Sequence, residues 1–128
     1  MLSVDTNVLV RFLTADDAEQ FASAEALIAQ NDIHVTTTAM LETEWVLRSR
    51  YELTPAEIIE ALSSLARLPR LTFERRDVVH KALDWARRGL ELADALHLAA
   101  SDSCEAFVSF DRQLLRRAHR LGLVAREP

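Results

Sequence analysis

A chain of 128 residues with one cysteine, two glycines and a single lysine is closed to several kinds of chemistry before any motif is read. The lone Cys104 has no intrachain partner for a disulfide, so a reduced thiol is expected, as in proteins of reducing compartments. Gly89 and Gly122 fall at the ends of helical patterns, which leaves no glycine for a phosphate-cradling loop or a dinucleotide fingerprint. Nucleotide-cofactor chemistry is thereby set aside. A Gly-x-Ser-x-Gly elbow is also missing and Cys104 has no evident histidine partner, so covalent catalysis by serine or cysteine lacks support. No apolar run approaches the roughly 20 residues of a membrane helix, because Asp94 and His97 interrupt the best candidate at 93–100. With no basic leader before Asp5, a cytoplasmic protein that does not insert in membranes is expected.

What is present is a 49% hydrophobic composition, enough for one real core and too little chain for two ordinary domains. A single domain over 1–128 is expected. The net charge of −5 and pI near 5.3 argue on their face against a nucleic-acid binder. Carboxylates gathered around divalent cations would cancel most of that charge and leave the basic residues to dominate one face. Of the fifteen basic residues only Lys81 is lysine, and arginine favours planar, bidentate contacts to phosphate.

Hydrophobic periodicity divides the chain into alternating strands and helices. "MLSV" reads as a short buried strand, followed by a helix from Asn7. A second helix is capped by Asp16 or Asp17, and "IHV" at 33–35 is a strand. The third helix runs from Thr37 or Thr38 through "AMLETEWVLRS". A fourth opens at "TPAE", where Thr54 caps, Pro55 occupies the first turn and Glu57 closes a capping box. "RLTF" at 70–73 is a strand, 75–88 a helix stopped by Gly89, and 93–104 a helix apolar nearly all round. "AFVSF" at 106–110 is a strand, 111–121 a helix, and "LVA" adds an edge strand. Such alternation predicts an α/β fold with a parallel sheet of four or five short strands and helices on both faces. Ligands of such sheets bind beyond the carboxyl ends of the strands, where Asp5 and Asp111 both lie.

Asp5, Asp94 and Asp111 each open a helix, where a carboxylate caps amides and meets the positive end of the dipole. Converging in one crevice they would repel one another, an arrangement that cations relieve, and oxygen-only ligands suit Mg²⁺ or Mn²⁺ rather than Zn²⁺. The four histidines are scattered. His97 shares a helix face with Asp94 at i, i+3, and a packed, hydrogen-bonded His97 is the expectation.

"DTNVLVRFL", "ETEWVLR", "ADALHLAAS" and "SFDRQL" together resemble, in order and across the whole chain, the four motifs of the PIN-domain family, most closely its VapC-type toxins. The resemblance implies a three-layer sandwich and a Mg²⁺-dependent endoribonuclease, with Mn²⁺ as a substitute, leaving 5′-phosphate and 3′-hydroxyl ends. It matches Asp5, Glu42, Asp94 and Asp111 to the family's acidic metal site, Ser109 to a position where Thr or Ser often stands, and Thr6 and Asn7 to residues bracing the first Asp. Arg112 stands where some members carry a further acid. It further implies homodimers, an RNA substrate and a VapB-type antitoxin. Arg112, Arg116, Arg117 and Arg120 are candidates for steering RNA, against the alternative of a solvated basic face.

Glu42 and Glu44 lie about 200° apart on their helix, so only one faces the site. Glu44 stands four residues before Arg48 and is expected in a solvent-exposed pair, whereas Glu42 shares its face with Trp45 and Val46. Other classes fit less well. A phosphorylatable receiver needs an acid pair after its first strand and a suitably placed lysine, and an Asp-x-Asp phosphatase needs an acid where Asn7 stands. A non-catalytic PIN-like binding module or a non-toxin RNA-processing nuclease remains as an alternative.

Overall fold

Five helices begin where a side-chain oxygen turns back onto a free backbone amide. Asp5 accepts from the Val8 amide at 3.2 Å, Asp17 from Gln20 at 2.9 Å, Thr36 from Ala39 at 3.1 Å, Thr54 from Glu57 at 3.2 Å and Asp111 from Leu114 at 3.0 Å. The computed structural model describes residues Met1–Pro128. In chain order the elements are β1 (Leu2–Ser3), α1 (Thr6–Thr14), α2 (Ala18–Gln30), β2 (Ile33–Val35), α3 (Thr37–Arg50), α4 (Pro55–Ala66), β3 (Leu71–Phe73), α5 (Arg76–Arg87), α6 (Leu92–Ala99), β4 (Phe107–Val108), α7 (Arg112–Arg120) and β5 (Ala125–Arg126). The capping box of α4 is complete, with Glu57 accepting from the Thr54 amide at 3.0 Å. Gly89, at φ +106°, ends α5 in a conformation that L side chains rarely adopt.

All strand pairings are parallel, as expected for an α/β fold. β2 is central in a three-stranded sheet ordered β1-β2-β3, with Leu2 opposite Ile33 and Val35 opposite Phe73. β4 and β5 form a separate two-stranded ladder. One sheet of four or five strands was the expectation; five strands are present, divided into a three-stranded and a two-stranded sheet. β1, β4 and β5 are only two residues long, too few to supply more than one or two ladder bonds each, and Leu2 and Val108 remain exposed.

A cluster of 28 buried residues runs from Val4 to Ala125, with Ile33 and Val35 of β2 wholly enclosed. α1 packs on α2 and α3, and α5 on α4 and α6, while α3 touches α1, α4 and α6. α6 stops at Ala99 rather than 104. Its apolar stripe of Leu92, Ala95, Leu96, Leu98 and Ala99 is buried, but Ser101 donates its hydroxyl to the His97 carbonyl and the chain turns away. His97 is exposed, not packed, because it occupies the one strip of α6 that looks outward.

Asp16, one of two candidate caps of α2, has another duty. It takes the Arg11 guanidinium at 3.0 Å and the Tyr51 hydroxyl at 2.6 Å, tying the α1–α2 turn to the end of α3. Foremost the Tyr51 hydrogen bond holds the Asp16 carboxyl below its ordinary value of 3.8, with Thr14 and Arg11 adding to it. A carboxyl depressed in the folded state contributes stability that is present above the unfolded pKa and lost as the pH falls through the folded one. Tyr51→Phe is therefore expected to lower the thermal midpoint at neutral pH and to flatten its decline on acidification below about pH 4. Thermal melts across that range check it; an acid limb as steep as wild type counts against the network.

Candidate active site

β1 and β2 end side by side, and the residues that follow them, Asp5 and Thr36, turn into α1 and α3. Between them lies an open cleft of about 380 Å³ lined by Ser3 to Asn7, Thr36, Thr38, Ala39 and Glu42. Only Val4 and Ala39 of that lining are hydrophobic. Asp5 is exposed, one carboxylate oxygen fixed by the Val8 amide and the other without a protein partner. Glu42, one helix turn into α3, is exposed and makes no hydrogen bond or ion pair. Thr36 and Thr38 share a hydroxyl contact of 3.2 Å at the start of α3. Thr6 is buried and Asn7 exposed at the cleft's edge. Two carboxylates free of ion pairs among hydroxyl, amide and carbonyl oxygens, with no sulfur or imidazole, form a donor set suited to a hard divalent cation.

A PIN domain profile matches residues 2–120, nearly the whole chain. The chain belongs to the PIN domain family. This PIN domain also resembles the crystal structure of VapC20 of Mycobacterium tuberculosis, a toxin that cleaves the sarcin-ricin loop. The identity is 20% over 97% of each chain, with a TM-score of 0.45. No curated protein shows significant sequence similarity to it.

Of the four acids expected together, the PIN domain brings Asp5 and Glu42 into one cleft and leaves the other two outside it. Asp94 is half-buried in the first turn of α6. Asp111 is exposed, spends one oxygen on the Leu114 amide, and receives support from Ser109, whose hydroxyl accepts from the Asp111 amide at 3.0 Å. No three His, Cys, Asp or Glu side chains stand close enough together to hold an ion. Asp111 follows β4, which belongs to a different sheet from β1, so no ladder ties it to Asp5.

Glu42 and Glu44 diverge as helix geometry requires. Glu44 receives the Arg48 guanidinium at 2.9 Å, as expected, but its side chain is only 17% exposed because it turns toward the α5–α6 junction rather than solvent. That pairing raises Arg48 further above its ordinary value. Trp45, on the Glu42 side, is 49% exposed, so the face of Glu42 is open instead of adjoining the core.

Glu74, which no sequence motif singles out, does not line the cleft but braces the start of α3 beside it. It follows β3 and accepts from the Thr37 amide at 2.9 Å, which holds its carboxyl below the usual range. An acid directly after a strand was the available signal, the same one that marked Asp5. Among the arginines of α7, Arg112 pairs with Glu127 at 3.0 Å and Arg117 donates to the Gly89 carbonyl at 3.0 Å. The Arg117 contact is structural; the Arg112–Glu127 pair is an exposed one that exchanges readily, and Arg116 and Arg120 remain exposed and unpaired.

Proposed function

We propose that this PIN domain is a Mg²⁺-dependent endoribonuclease, with Mn²⁺ able to substitute, and the toxin of a VapBC-type pair. The observation that carries the reading is the convergence of Asp5 and Glu42 in an oxygen-lined cleft at the strand ends of a chain matching the family along its length. Asp5 and Glu42 would hold the cation, and Asp94 and Asp111, which the motifs assign to the same site, would join them when the acids are gathered. The bound cation supplies Lewis acidity to the phosphodiester and offsets the repulsion among carboxylates. Asp5 is oriented for this task by the Val8 amide. The Ser3, Thr36 and Thr38 hydroxyls and the Asn7 amide donate to phosphate oxygens in the cleft, and the amino end of α1 favours the negative charge there. Arg116 draws RNA from outside. A homodimer, a VapB-type antitoxin, a cytoplasmic location and one domain over 1–128 belong to the same proposal; no helix is long and apolar enough to cross a membrane.

Purified protein is expected to cut RNA with Mg²⁺ or Mn²⁺ and to stop in EDTA, and its induction alone should arrest growth until a neighbouring gene product relieves it. Undiminished cleavage in EDTA, free of contaminating nuclease, removes the metal mechanism. The distance of Asp94 and Asp111 from the cleft favours a second reading, a non-catalytic RNA-binding module. That module binds RNA and cuts none of it with either metal.

A further inference from the structure

A second concave surface lies along the outer side of β3, between the end of α4 and the start of α5. Arg67, Thr72, Arg76 and His80 supply its polar groups, and no acid is among its lining residues. Arg76 and His80 sit at i, i+4 on α5, so they share one face of that helix, and Arg67 approaches from α4. α5 is also a helix without a side-chain cap at its amino end, since Arg75 makes none, which leaves its first amides available beside the two guanidinium groups. All four polar residues are exposed.

The acids nearby do not cancel this charge. Glu60 pairs with Arg67 at 3.0 Å, but both side chains are more than 60% exposed, and such pairs exchange readily for a better anion. Asp32 is occupied by Arg70, and Glu74 spends its carboxylate on the Thr37 amide. Asp77 follows Arg76 in the first turn of α5, about 100° around the helix from it.

Its position gives the pocket a partner. Phe73, which lines it, is the register partner of Val35, and Thr36 of the acidic cleft follows Val35 directly. The pocket therefore runs along the outer edge of the strand that neighbours β2, and of its lining only Phe73 stands level with the strand end from which the cleft opens. We infer that the Arg67–Arg76–His80 pocket is a phosphate subsite for the RNA strand, holding a backbone phosphate further along the strand from the nucleotide in the Asp5–Glu42 cleft. Guanidinium forks match phosphate oxygens in pairs, and a site that reads only the backbone adds affinity without choosing a sequence. The inference rests on the ribonuclease reading and adds a substrate contact to it.

Fluorescence anisotropy of a labelled oligoribonucleotide in EDTA reads binding apart from cutting. The Arg67→Gln/Arg76→Gln variant is expected to bind about tenfold more weakly. Its slope of log K against log salt should shrink by about 0.7, the increment for one phosphate neutralised on a single strand. Arg88→Gln, at the opposite end of α5, removes a positive charge outside the pocket and should bind within about twofold of wild type. A double variant that binds like wild type, or no more weakly than Arg88→Gln, overturns the subsite while leaving the ribonuclease reading intact. If wild-type protein neither binds nor cuts RNA, the ribonuclease reading fails and the subsite falls with it.

Discussion

Glu42→Gln is expected to abolish RNA cleavage, while Glu44→Gln leaves it within a few-fold of wild type. Losing a partner that merely supports a metal ligand typically costs about 10- to 100-fold, so losing a carboxylate that would face the ion itself should cost more than about 100-fold. From the sequence, Glu42 was expected to adjoin buried groups, and the structure replaces that premise with a better one. Glu42 is exposed, unpaired and in the same cleft as Asp5. Glu44 points elsewhere and is already neutralised by Arg48 at 2.9 Å. Its loss should show instead as a modest fall in thermal midpoint, because a largely covered carboxylate gives up its guanidinium partner. Single-turnover cleavage of a labelled RNA, with melts of both variants alongside, separates the two effects. An active Glu42→Gln beside a dead Glu44→Gln would mean that the helix presents its other face to the substrate.

Local signals carried most of the fold. Caps, the Thr54–Glu57 box and the stop at Gly89 act within one helix turn, so the sequence displays them directly, and α3, α5 and α7 begin and end within two residues of expectation. α6 ended early, with the Ser101 amide reaching back only three residues to the Leu98 carbonyl, and the apolar pattern that continued toward Cys104 does not report such a turn. The split of the strands into three and two was not visible, since pairing between distant strands depends on how many ladder bonds each edge offers and not on local periodicity. The site divides along the same line. Asp5 and Glu42 meet because β1 and β2 are register partners and α1 and α3 spring from their ends, whereas Asp94 and Asp111 ride on elements joined to that sheet through side-chain packing alone. Arg117 was indistinguishable from Arg116 by type and spacing. Only the folded chain sets the Gly89 carbonyl in front of one of them.

Asp5 supports two explanations at once, a helix cap and a metal ligand, and the choice of substitution separates them. Asn caps helices about as well as Asp, so Asp5→Asn should keep the bond to the Val8 amide and melt close to wild type. Asp5→Ala loses the cap as well and should cost a further 0.5–2 kcal/mol, roughly, in stability. An amide has no negative charge to offer a divalent cation, and the neighbouring Thr36 and Thr38 hydroxyls cannot replace it. Both variants are therefore expected to lose cleavage, Asp5→Asn while fully folded and Asp5→Ala while measurably less stable. Mg²⁺ should raise the melting temperature of the wild type and of neither variant, because a ligand bound only to the folded state stabilises it by mass action. Full activity in Asp5→Asn, together with an unchanged response to Mg²⁺, would reduce Asp5 to a cap and shift the chemistry of the cleft to Glu42 alone.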